Sequence, residues 1–176
     1  MSRSDTGSIN PIGAAALGAA SAAPALDPAI EALQLSNVAR KAAYALKQVH
    51  PSVTFTSGRR TKEDQARAMA SNVVSNRQWI GQTYKPGIVS NACQQWVDNH
   101  PEAKTKEQIA SGLLSVMKAA SDADVGKLSK HLSGDAFDVR PVEVNAEAIK
   151  LTIRSLEGLD KFLDKEGGLV RWHAQF

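Results

Sequence analysis

Ile30, Leu33, Leu35, Val38, Ala42, Ala45, Leu46 and Val49 recur at close to helical spacing and stop at His50-Pro51. Asp27-Pro28 supplies a start signal, with Asp27 as N-cap and Pro28 in the first turn. The pattern therefore predicts a helix from Asp27 to about Val49. Val53-Thr54-Phe55-Thr56 is β-branched and aromatic, which suits a short strand. Thr61 with Asp64 opens another helix, running to about Val74. Residues 75–104 are the least regular part, holding Trp79, Tyr84, the Pro86-Gly87 turn, Trp96 and His100-Pro101. Periodicity returns at Thr105, which forms a capping box with Gln108 ahead of a face made by Ile109, Leu113, Val116, Met117 and Ala120. A strand follows at Asp135–Val139. Asn145 as N-cap predicts a helix carrying Ile149, Ile153, Leu156, Leu159 and Leu163, ended by Gly167-Gly168. Leu169–His173 reads as a last strand. Helices mixed with short strands over residues 27–176 predict one compact α+β domain.

Composition fits that picture: 176 residues with 43% hydrophobic content suffice for one domain with a real core. Residues 1–26 stand apart. From Thr6 to Leu26 the chain carries no charge and is rich in Ala, Gly and Ser, so it cannot offset its own ordering entropy. It is a candidate arm for attachment to another protein. A net charge of +3 without a dense Lys/Arg run speaks against nucleic acid as a partner. No stretch approaches the length of a membrane span, and the Ala/Gly run at Ile12–Ala20 is too weak for a cleavable secretory signal. The single cysteine, Cys93, excludes an internal disulfide and reads as a small buried hydrophobe.

The candidate chemistry lies in Ser129-Lys130-His131-Leu132-Ser133-Gly134-Asp135-Ala136-Phe137-Asp138 and in His173. Hydrolytic zinc takes three protein ligands from His, Asp, Glu or Cys and leaves a position for water. His131, Asp138 and His173 form the best such set. In an extended strand Ala136 and Asp138 share one face while Phe137 and Val139 take the other, and Gly134 lets the backbone turn so that His131 can meet Asp138. On the last strand His173 shares a face with Arg171, opposite Val170 and Trp172. His50 and His100 each precede a proline in polar surroundings and read as exposed residues. Trp79, Tyr84 and Trp96 suit either a core or a ligand groove, and the sequence does not tie them to the site.

Ser129-x-His131-x-x-Gly134-x-Ala136-x-Asp138 resembles the signature of the zinc D-Ala-D-Ala carboxypeptidases. That family includes the L-alanyl-D-glutamate endopeptidases of phage endolysins and has a hedgehog-like metal site. Ser57-Gly58-Arg59-Arg60-Thr61-x-x-x-Gln65 is similar to a second family segment, with Arg59 replacing the usual aromatic, and Trp172-His173 is similar to a third. The resemblance spans roughly residues 30–173. It implies His131, Asp138 and His173 as Zn2+ ligands, Arg60 as a group that contacts the substrate, and Ser129 as a residue beside it. It also implies an α+β fold in which a small antiparallel sheet carries the metal site against several helices, with residues 1–26 as an extended arm.

The chain departs from the family at one position. Where the family places a Glu or Asp three residues before the last histidine, as general base, this chain has Val170. Glu166, Asp135 and Glu143 are the nearby carboxylates, none at the matching spacing. The function expected from the resemblance is a zinc metallopeptidase cutting peptide stems of bacterial peptidoglycan. It would be a phage lysin, located in the virion or in the host cytoplasm before release, with virion or tail contacts through the arm. The alternative, favoured by Val170, is a catalytically weak or inactive peptidase-like module with a structural or wall-binding role in a phage particle.

Overall fold

The computed structural model describes residues 25–166 and 168–176. The helices are α1 (Pro28–Glu31), α2 (Asn37–Val49), α3 (Lys62–Val73), α4 (Trp79–Thr83), α5 (Ile88–Asn99), α6 (Lys106–Ala119), α7 (Asp122–Gly126) and α8 (Ala146–Arg154). The strands β1 (Phe55–Ser57), β2 (Ala136–Val139), β3 (Lys161–Glu166) and β4 (Leu169–Gln175) form one sheet in the order β1-β2-β4-β3, every neighbouring pair antiparallel. The fold is therefore α+β with a small antiparallel sheet packed on helices. The arm expected at residues 1–26 lies outside the described residues except for Ala25 and Leu26, which are exposed.

One face of the sheet is apolar. Phe137 and Val139 of β2 join Trp172 and Ala174 of β4 in a core with Leu46 of α2 and Ile149 and Ile153 of α8. A separate core binds α3 to α6 through Met69, Val73, Ile80, Val97, Ile109, Leu113 and Met117. Cys93 belongs to this second core, and burial raises its thiol pKa to about 12. The period-two pattern of β2 thus buries its odd positions, leaving Asp138 on the opposite face. Helix starts follow the sequence signals: Thr61 Oγ1 accepts from Asp64 N–H, and Thr105 and Gln108 form the expected reciprocal capping box.

Three expectations are corrected. The helix expected over 27–49 is broken, because Gln34 takes a φ of 51° and α2 starts only at Asn37. The break is imposed from afar: Leu33 O accepts from Arg59 N–H at 2.8 Å, and Ser36 N–H donates to Gly134 O at 3.0 Å. These bonds tie residues 33–36 to both segments of the candidate site. Residues 75–104 hold α4 and α5, whose Val89, Cys93 and Val97 sit at four-residue spacing beneath a polar outer face. Finally, α8 stops at Arg154; the chain turns at Gly158, and Lys161–Glu166 pairs with β4 as an edge strand. Leu163, expected on the helix, lies opposite His173. Gly168 sits in the β3–β4 turn; Gly167 is outside the described residues.

Candidate metal centre

The register of β2 against β4 sets Asp138 directly opposite His173. Both project from the sheet face that the apolar core does not use. His131 reaches them from the turn before β2, and that turn depends on Gly134, whose φ of 82° suits glycine. The loop after β1 holds His131 from two sides: Arg60 N–H donates to its carbonyl at 2.9 Å, and its Nδ1–H donates to Gly58 O at 2.7 Å. A carbonyl oxygen can only accept, so Nδ1 carries the proton and Nε2 offers its lone pair to the site.

Gly58 makes this clamp possible by close approach. A Cβ there would lie 2.4 Å from Leu33 O and 2.6 Å from Leu33 Cβ. Sequence therefore places a glycine where the break between α1 and α2 presses against the histidine clamp.

The ligand atoms converge. Asp138 Oδ1 lies 2.7 Å from His173 Nδ1 and 3.4 Å from His131 Nε2, and the two imidazole nitrogens are 3.2 Å apart. Both histidines are buried, and Asp138 is nearly so. These side chains form a group that could hold a metal ion. Burial alone would raise the Asp138 pKa. The imidazoles of His131 and His173 packed against the carboxylate outweigh it and hold the carboxyl well below the usual carboxylate range. The carboxylate is thus kept in the ligating, ionised form.

Arg60 serves this group directly. Its Nη2 donates to Asp138 Oδ2 at 2.9 Å, its Nε to Ser57 Oγ at 2.9 Å and its Nη1 to Gln65 Oε1 at 3.4 Å. Gln65 is fully buried and donates to Tyr84 Oη at 2.8 Å. The second sequence motif, Ser57 to Gln65, is therefore a support for Asp138 as well as a wall of the site. Ser129 Oγ accepts the His131 N–H at 3.3 Å.

A cleft of about 630 Å³ opens over this group, between the exposed sheet face and the α3–α4 side of the helical core. Arg60, Ser129, His131 and His173 line it, with Trp79 and Tyr84 on the helical wall. Trp96 is elsewhere, stacked on His100 at 4.3 Å. His50 and His100 are not the exposed residues expected. His50 Nε2 pairs with Thr152 Oγ1, His100 Nδ1 with Trp96 O, and both are half-buried.

The carboxylates considered as general base are scattered. Asp135 lines the cleft and accepts from Ser133 Oγ at 2.7 Å. Burial works against its ionisation, but neighbouring seryl hydroxyls and the charges of Lys130 and Arg59 keep its pKa below the ordinary value. Glu143 is exposed and away from the cleft. Glu166 ends β3, and its side chain lies outside the described residues. Val170 is 60% exposed and supplies no proton chemistry.

Sequence reasoning missed Gln175. It stands two residues beyond His173 on the same strand face, with its amide nitrogen 2.9 Å from His173 Nε2. The amide nitrogen donates when His173 holds its proton on Nδ1. With Nδ1 given to a metal, the proton sits on Nε2 and the amide must present its oxygen. The period-two rule applied to β4 would have found it.

Comparison with family models, curated proteins and solved structures gives no match. No helix among the described residues is long and apolar enough to cross a membrane.

Proposed function

We propose that this chain is a zinc-dependent peptidase acting on the peptide stems of bacterial peptidoglycan. The observation that carries the reading is the His131–Asp138–His173 group, whose two buried histidines line an open cleft. Zinc fits the donor set. Tetrahedral ligands with bonds of about 2.0–2.1 Å stand about 3.3–3.4 Å apart, and two of the separations here are 3.2 and 3.4 Å. The third, 2.7 Å, is a hydrogen bond that the ion would replace. Zinc would supply Lewis-acid polarisation of a carbonyl and acidification of water.

The chain's own residues do the rest. Gly58 fixes His131 in one tautomer, Arg60 holds Asp138 in place, and Gln175 buttresses His173. Among the described residues Arg60 Nη1 makes the 3.4 Å contact to Gln65 alone, so one edge of its fork could orient a peptide carbonyl. The family resemblance favours a phage lysin carried in the virion or held in the host cytoplasm before release, with residues 1–26 as its attachment arm.

Val170 favours a second reading, an inactive peptidase-like module that binds the wall or builds a phage particle. A positioned carboxylate typically adds roughly 10²–10⁴-fold to such a reaction, and none stands at the family's position. Incubating purified peptidoglycan with the zinc-loaded chain and with His131→Ala decides between them. The peptidase reading expects new free amino termini from wild type and none from the variant. Equal release from both, or none from wild type, contradicts it; sedimentation of the intact chain with the wall would then mark the binding module.

A further inference from the structure

Arg171 lies on β4 two residues before His173 and lines the same cleft. It is half-buried, yet among the described side chains its hydrogen bond goes to a neutral group, Asn72 Oδ1 at 3.3 Å on α3. Among the described side chains, which leave out Glu166, no carboxylate forms an ion pair with it. A guanidinium has five N–H donors, and one that has lost part of its water without gaining an anion is poorly compensated. Asn72 is itself fixed, its amide donating to Ala68 O at 3.0 Å, so it orients Arg171 across the cleft without neutralising it.

The surrounding wall has the same sign. Lys85, Lys130 and Lys161 also line the cleft, and Lys130 Nζ donates to Phe176 O at 3.0 Å. Asp135, one acid of the wall, is engaged with Ser133, and Asp160 stands beside Lys161 in sequence. The field over the histidines therefore draws in a negatively charged ligand.

The geometry points to Arg171 as the anchoring residue for a free carboxylate on the peptide whose carbonyl lies at the His131–Asp138–His173 group. This rests on the peptidase reading and adds a substrate preference: acidic peptides over neutral ones. Alternate positions on a strand stand about 7 Å apart. An extended peptide lying along β4 repeats at that distance, so its carbonyl at His173 and a carboxylate at Arg171 belong to one ligand. The planar guanidinium suits such a carboxylate through paired hydrogen bonds.

The test measures binding, by calorimetry on the full chain with and without zinc. The probes are a synthetic stem peptide with free carboxyl groups and the same peptide amidated. On wild type the amidated peptide should bind roughly tenfold to a hundredfold more weakly. Arg171→Gln should weaken the acidic peptide by a similar factor and leave the amidated one unchanged, and Arg171→Lys should recover part of the loss. Equal binding of both peptides to wild type overturns the assignment, as does an Arg171→Gln chain that binds the acidic peptide normally. The amidated arm needs no variant, so a folding defect cannot hide the answer. If both peptides bind equally and are still cut, the anchor is wrong and the peptidase reading stands. If neither peptide binds, both are wrong.

Discussion

Asp138→Ala should lower the stability of the metal-free protein by about 3–5 kcal/mol, the usual cost of removing one partner of a buried ion pair. Asp138 and Arg60 are only 13% and 17% exposed at the side chain, so water does little to replace the lost contact. Removal leaves Arg60 with Ser57 and Gln65 as its acceptors and takes away the hydrogen-bond partner of His173 Nδ1. Urea denaturation in chelator-treated buffer measures the loss. Replacing Arg60 by Leu in the Asp138→Ala background should recover part of it, because the uncompensated charge goes too. A loss below about 1 kcal/mol, the scale of a surface pair, would show that this pair does not hold the site together.

Gly58→Ala is expected to damage fold and site at once. The new methyl would meet Leu33 O, Cβ and Cα at 2.4, 2.6 and 2.9 Å, and backbone cannot rotate away as a flexible side chain can. Overpacking of this kind costs about 1–3 kcal/mol or more. Any shift moves Gly58 O away from His131 Nδ1, and loss of such an outer contact typically weakens metal binding about 10–100-fold. Gly126→Ala is the control, since nothing lies within 4 Å of its added Cβ. Urea denaturation and metal titration of both variants test this, and a Gly58→Ala chain matching Gly126→Ala in both would contradict the clamp.

The approach of His131 to Asp138 was legible because it rests on local rules. Strand alternation put Asp138 opposite Phe137 and Val139, and Gly134 marked the turn that returns His131 to it. Helix starts at Thr61 and Thr105 were legible for the same reason, since a cap is a contact across three residues. What the sequence hid was set by distant partners. Leu33 to Ser36 keeps helical spacing, but Arg59 N–H and Gly134 O take its backbone groups. Leu156, Leu159 and Leu163 also keep helical spacing, yet pairing with β4 claims Leu163 as strand. Arg60 and Asp138 are 78 positions apart, so their ion pair left no trace in either motif alone. Arg171 was placed correctly on the face of His173; its contact with Asn72, 99 positions away, needed the structure to see.

We propose that His131, Asp138 and His173 together bind one zinc ion. Titrating zinc into the chelator-treated chain against a competing chromophoric chelator tests it most directly. Saturation at one zinc per chain is expected, with loss of that site in His131→Ala while the variant stays folded by circular dichroism. A wild-type chain that takes up no zinc, or a folded His131→Ala chain that binds it equally well, would contradict it.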